Sequence, residues 1–214
     1  MPGITERHLD SNSGLRNHTF VLHGSDDDDR LYTTGDPHNL SAGDEVAFTE
    51  TSLALPRSIT HKIIADSGGS TRSYTIKVHG VDQFGDTVVE TVSNSASGGA
   101  TVEVNGAKVF AYVYYFEVIS IANFVAADTI TFGNDSASAA MDQDTVWGVP
   151  LKLDSSDDIL GGVLFEASAT EDLDKGDITF MPVVNGIKLS NDVTADAGLD
   201  RLIFINIRTT WGTA

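Results

Sequence analysis

The chain has 214 residues, with 31 acidic and 13 basic side chains, a net charge of −18 and no cysteine. The lack of thiols excludes a disulfide framework, a thiolate zinc site, an iron–sulfur cluster and a cysteine nucleophile. Its lysines are scattered rather than clustered, so so acidic a surface repels duplex DNA and anionic membranes, and neither is expected as a partner.

A chain of this length buries roughly 70% of its unfolded surface, enough for a core without a metal or disulfide staple. No stretch approaches the ~18 apolar residues of a membrane-spanning helix. The start, Met1 to Gly14, has no basic segment followed by an apolar run, so the expectation is a soluble chain made in the cytoplasm and not exported by a signal peptide. Asp outnumbers Glu and Lys is sparse. That bias would suit a protein of salty surroundings, but β-rich chains also carry Asp in their turns, which is the plainer reading.

Residues 1–25 carry Glu6 and Asp10 against Arg7 and Arg16, so the acidic excess lies entirely beyond them. Their apolar residues Ile4, Leu9, Leu15 and Phe20 are isolated among Ser, Asn, His and Gly. This composition predicts an extended N-terminal arm with no core of its own, and with its linker the arm is expected to occupy 1–39. A β-sandwich is expected over 40–214, or a core sandwich over 40–151 with additional strands over 152–214.

From about Leu40 strand follows strand. Ser73 to His79 alternates, with Tyr74, Ile76 and Val78 on one face, as a half-buried strand requires. Gly80 to Asp86 supplies turn residues, and Thr87 to Val92 returns as the second arm of a hairpin. Lys108 to Ile121 is rich in β-branched and aromatic residues, which predicts a central strand or a bulged pair. Leu202 to Ile207 is a further apolar run. One phrase recurs at irregular intervals, in Ala42–Phe48, Ala127–Phe132 and Lys175–Phe180: a small residue, Asp, then apolar residues ending in Phe. It reads as repeated strand entry from a tight turn. Helical signals are weak: an Ala-rich piece at Ser136–Met141, and a short turn capped by Ser155 to Asp158 that Gly161-Gly162 should stop. The fold class is therefore all-β, a β-sandwich or jelly-roll-like domain.

No catalytic constellation emerges, so a non-enzyme without a cofactor is expected. The six histidines fall in the first 79 residues without the HxxxH or HxH spacing that brings two imidazoles to one metal. Asp26 to Asp29 lacks the alternating ligands, central glycine and distal Glu of a calcium loop, and reads as a solvated turn that discourages edge pairing. Gly68-Gly69 and Gly98-Gly99 lie between strands and read as hairpin loops, not phosphate cradles. Tyr112, Tyr114, Tyr115 and Phe116 suit a sugar platform by type, but an apolar strand favours core or subunit interface. Trp147 and Trp211, each followed by glycine, are candidates for a contact surface.

Several segments together resemble a group of tailed-phage virion proteins. They are Leu55-Pro56-Arg57, the run Val78-x-Gly80-x-Asp82-x-x-Gly85 ending in Glu90-Thr91, Lys108-Val109-Phe110, Thr129 to Gly133 and Trp147 to Leu151. Each alone is ordinary turn or strand chemistry, and order and spacing carry the likeness, which covers about residues 54–151. The resemblance implies a capsid decoration or cement protein on the virion, bound to the major capsid protein and assembled as a small cyclic oligomer, a trimer. A head–tail junction or tail protein, a carbohydrate- or receptor-binding module and a cryptic glycosidase are the alternatives. In the decoration reading, Ile4, Leu9, Leu15 and Phe20 are the arm's apolar anchors, with Trp147 and Trp211 as further partner-binding residues.

Overall fold

The computed structural model describes residues 7–8, 15–22, 31–34, 36–66, 68–133, 145–149, 158–165, 170–173, 178–189 and 201–208. Among these there are strands and two short 3-10 turns, Pro37–Asn39 and Pro182–Val184, and no α-helix, so the chain is all-β as expected. Its contacts divide it into two compact units, one of residues 26–137 and one that joins 1–25 to 138–214.

The strands β1 (Arg7–His8), β2 (Leu15–Leu22) and β3 (Tyr32–Thr34) are followed by β4 (Glu45–Ala47), β5 (Ser52–Arg57) and β6 (Thr60–Ile64). Next come β7 (Arg72–Val81), β8 (Thr87–Ala96), β9 (Thr101–Asn105), β10 (Phe110–Ala122) and β11 (Thr129–Gly133). The chain continues with β12 (Trp147–Gly148), β13 (Asp158–Phe165), β14 (Thr170–Leu173), β15 (Ile178–Met181), β16 (Gly186–Leu189) and β17 (Arg201–Arg208).

The unit of residues 26–137 is a sandwich. In one sheet β10 pairs with β4 and β5 on one side and with β7 on the other, and β7 pairs with β8, all antiparallel. The other sheet runs β3-β11-β6-β9. Alternation along β7 buries Arg72, Tyr74, Ile76, Val78 and Gly80 and leaves the residues between them half-buried, the pattern of a strand with one face on a core. Phe110, Phe116, Ile59, Ile63 and Phe132 are at most 1% exposed. Phe116 lies 4.9 Å from Phe132, ring centre to ring centre, and Phe48 packs edge-on to both. Burying each such ring contributes about 2–3 kcal/mol. The recurring phrase thus has a physical outcome in this unit: Phe48 and Phe132, the last residues of two of its copies, meet in one core.

Residues 1–25 and 138–214 supply a five-stranded sheet in the order β1-β2-β17-β13-β14. All eight residues of β2 pair with β17, from Leu15 opposite Arg208 to Leu22 opposite Arg201. Over residues 15–22 the expected arm is thus a strand of the chain's own fold. Ile159 and Leu160, where a short helical turn is expected before Gly161-Gly162, are strand residues. β13 runs through both glycines, with β14 and β17 bonded to its two edges and a register shift between Ile159 and Gly161. Ladder bonds on both sides override the local turn preference, and the bulge absorbs the glycine pair. In the same unit β16 pairs with β12 and with β15.

Candidate functional site

Residues from three of the resembling segments meet in the unit of residues 26–137, around the β5–β10 pair and the β7–β8 hairpin. Arg57 is 1% exposed and sits opposite Phe110 across the β5–β10 pair. Gly80 faces Val113 where β10 is bulged, and a Cβ there would collide with the Tyr112 carbonyl oxygen and lie 2.8 Å from the Phe110 ring. Only glycine permits this approach of two backbones. Asp82 closes the hairpin: its Oδ1 accepts from the N–H groups of Phe84 (2.8 Å) and Asp86 (2.9 Å). Gly85 takes φ +84°, a left-handed conformation that glycine adopts without strain.

Glu90 turns into the core and ties down the β9–β10 loop. Its Oε1 accepts from the N–H groups of Ala107 (2.6 Å) and Lys108 (3.2 Å). The Lys108 ammonium in turn donates to the Val89 carbonyl at 2.6 Å. Burial pushes the Glu90 carboxyl above its ordinary pKa, against the pull of those N–H bonds and of the Lys108 charge.

Two further polar centres are sealed in the same unit. His61 is fully buried with Nδ1 2.8 Å from the Tyr74 hydroxyl, and burial lowers its pKa from 6.5 to about 4. Arg72 and Asp128 form a buried ion pair with Nε to Oδ2 at 3.0 Å. Burial alone would raise the Asp128 carboxyl. Hydrogen bonds from Arg72 and from the N–H groups of Val125 and Asp66 outweigh that and hold it below the usual carboxylate value. Perturbed groups often mark reactive sites, but these are shut away from solvent and act on stability. Among the described residues no three His, Cys, Asp or Glu side chains meet as a metal site would require.

The chemistry open to a partner lies on the outer face of the β10–β7–β8 sheet. Tyr112 and Tyr114 are each 49% exposed, while Phe116 is buried, so the aromatic run of β10 divides between solvent and core. Tyr115 stacks on His79 with ring centres 4.4 Å apart and planes 13° from parallel. Glu117 lies 3.8 Å from His79 Nε2 and 3.7 Å from Lys77 Nζ. Beyond this charged row the face turns to hydroxyls, with Thr75 opposite both Ser93 and Ser120, and Ser73 opposite Ser95.

No family model and no curated protein matches the chain. Among solved structures it is similar to a chain of the T13 particle of infectious bursal disease virus, at 8% identity and TM-score 0.28, over 100% of this chain and 44% of that one. A second structure of that virus, the Gt strain, gives 12% identity and TM-score 0.26, over 97% of this chain and 46% of the other. The N-terminal CBM22-1-CBM22-2 tandem domain of Paenibacillus barcinonensis Xyn10C gives 9% and 0.23, over 99% and 84%. This chain spans less than half of the viral chains, and TM-scores this low carry no argument about fold or function.

Of the partner-binding residues expected from sequence, Leu15 and Phe20 lie in β2, where they pair with Arg208 and Ile203. Trp147 lies in β12, pairs with Ile187 and is 4% exposed, so it offers a partner little surface. Ile4, Leu9 and Trp211 lie outside the described residues, as do Asp26 to Asp29 and the Ala-rich piece at 136–141. The sequence reading missed the separation of β10 into an exposed pair of tyrosines and a buried Phe116. Strict alternation would put Phe116 on the face of Tyr112 and Tyr114, and the register shift between Val113 and Tyr115, which no local residue pattern announces, turns it inward.

Proposed function

We propose that this chain is a non-enzymatic virion structural protein of the head decoration or cement type, which binds the major capsid protein and stabilises the shell. The observation that carries the reading is the group formed by Arg57, Gly80, Asp82, Gly85, Glu90 and Lys108. Residues from three of the resembling segments serve one another within the unit of residues 26–137, which supports reading the likeness as more than scattered turns. The mechanism is avidity: a homotrimer makes three modest contacts at once, and linked contacts hold where single ones would dissociate. The acidic body keeps copies apart at high local concentration, while the uncharged balance of residues 1–25 favours approach to a neighbour.

Copies per purified particle, counted by quantitative mass spectrometry, test this reading. A shell protein is present in numbers on the order of hundreds, whereas about six to twelve copies would move it to the head–tail junction or the tail. A second reading, a carbohydrate- or receptor-binding module, is favoured by the outward tyrosines Tyr112 and Tyr114. Binding to a glycan array that disappears in Tyr112→Ala would support it.

A further inference from the structure

A depression lies where the outer face of β7 and β8 meets the edge of β9. Ser73, Thr75, Ser93, Ser95 and Ser120 border it, and the buried Tyr74 and Asn94 also line it; its volume of about 390 Å3 is within the size range of small-molecule sites. The Ser and Thr residues occupy adjoining positions on three strands, and the Thr75 and Ser93 hydroxyls are 2.8 Å apart. That contact uses one O–H, which leaves the other hydroxyls and most lone pairs for a ligand.

The lining holds no Asp, Glu, Lys or Arg, in a chain where such residues make up 21%. An anion would find no cation there and would meet the repulsion of a body with net charge −18; a metal ion would find no carboxylate. A purely apolar ligand would strand the hydroxyls without partners. Val102 and the partly exposed Val104 add apolar surface to the same depression. Donors and acceptors alternating with small apolar patches match a molecule with hydroxyl edges and C–H faces.

We propose that this depression binds a neutral oligosaccharide. The site does not include the exposed tyrosines, and its chemistry does not depend on the decoration reading. The test is NMR titration of the full-length, isotope-labelled chain with four neutral hexasaccharides, built of glucose, xylose, mannose or galactose. At least one should shift the amides of Ser73, Thr75, Ser93, Ser95 and Ser120 in a saturable way. Thr75→Val with Ser93→Ala, which removes the hydroxyl pair, should weaken that binding about tenfold or more. Ser93→Trp, at an exposed position where a large ring fills the depression without entering the core, should abolish it. The proposal is overturned if no sugar shifts these amides up to about 10 mM, a concentration that would detect even weak binding. It is equally overturned if the shifts fall on Tyr112 and Tyr114 instead, or if either variant, with wild-type spectral dispersion, binds as tightly as the parent.

Discussion

Arg72 and Asp128, 56 residues apart in sequence, are joined by a charge-assisted bond that leaves them 2% and 0% exposed. The pair is satisfied on every side. The guanidinium also donates to the carbonyls of Gly68 and Ser70, both at 2.7 Å, and the carboxylate accepts from the N–H groups of Asp66 and Val125. One contact therefore ties the β6–β7 loop, the start of β7 and the β10–β11 turn. Removing either partner leaves a buried charge uncompensated. Asp128→Ala and Arg72→Ala should each lower the unfolding free energy by roughly 3–5 kcal/mol. In denaturant titrations the double variant should cost clearly less than the two single losses added. Fully additive losses would show that the two side chains do not act as a pair.

Gly80 and Gly85 both belong to the hairpin signature but for different reasons, and alanine separates them. At Gly85 the added methyl meets nothing, and only the φ of +84° resists it, so Gly85→Ala should cost about 1–2 kcal/mol. At Gly80 the methyl meets the Tyr112 carbonyl oxygen, which is backbone and cannot swing aside. Gly80→Ala should cost about 3 kcal/mol or more and shift β10 amide resonances. Equal melting temperatures for the two variants would contradict this assignment.

The pH dependence of stability follows from His61. Its folded pKa of about 4 lies below the unfolded value of 6.5, so between those values the unfolded chain binds the extra proton. Stability from this group is complete above pH 6.5 and is lost as pH falls through the window, by about 3 kcal/mol in all. Glu90 has the opposite sign. Its raised pKa makes the folded state take up a proton first on acidification, which offsets part of the loss. Asp128, held low, adds its own loss only in more acidic solution. Unfolding free energies measured across this range should therefore fall with acid in the parent, flatten in His61→Gln and fall more steeply in Glu90→Gln. An unchanged slope in His61→Gln would remove His61 as the cause.

The β7–β8 hairpin was legible in the sequence because strict alternation and a Gly-x-Asp-x-x-Gly turn act locally. β10 and β17 were legible because long runs of β-branched and aromatic residues fit little else. What depends on distant partners was not. Nothing near Arg72 announces Asp128, and Gly161-Gly162 reads as a stop until β14 and β17 are known to flank it. Trp147 next to glycine suggested an exposed loop, yet the backbone pairs with β16 and the ring is buried. Gly80 was recognised as turn chemistry, while the stronger constraint on it is the approach of the Tyr112 carbonyl.

The pairing of β2 with β17 changes how the N-terminal segment must be tested. Deleting residues 1–25 removes the strand that bonds all eight residues of β17, so it strips one edge of that strand as well as any binding anchor. The deletion should lower hydrogen-exchange protection over Arg201–Arg208, most at the amides that bond to β2, while protection in β7 and β10 of the other unit persists. Loss of particle binding by that variant would then say nothing about anchors. Ile4→Ser with Leu9→Ser separates the two effects, because both residues lie outside the β2–β17 ladder. If the segment docks into a capsid neighbour through these side chains, the double variant should keep full protection of β17 and co-sediment several-fold less with particles lacking the protein. Undiminished co-sedimentation would exclude Ile4 and Leu9 as anchors. The contact would then have to be sought at Trp211 or on the outer face around Tyr112 and Tyr114, where aromatic area is open to solvent.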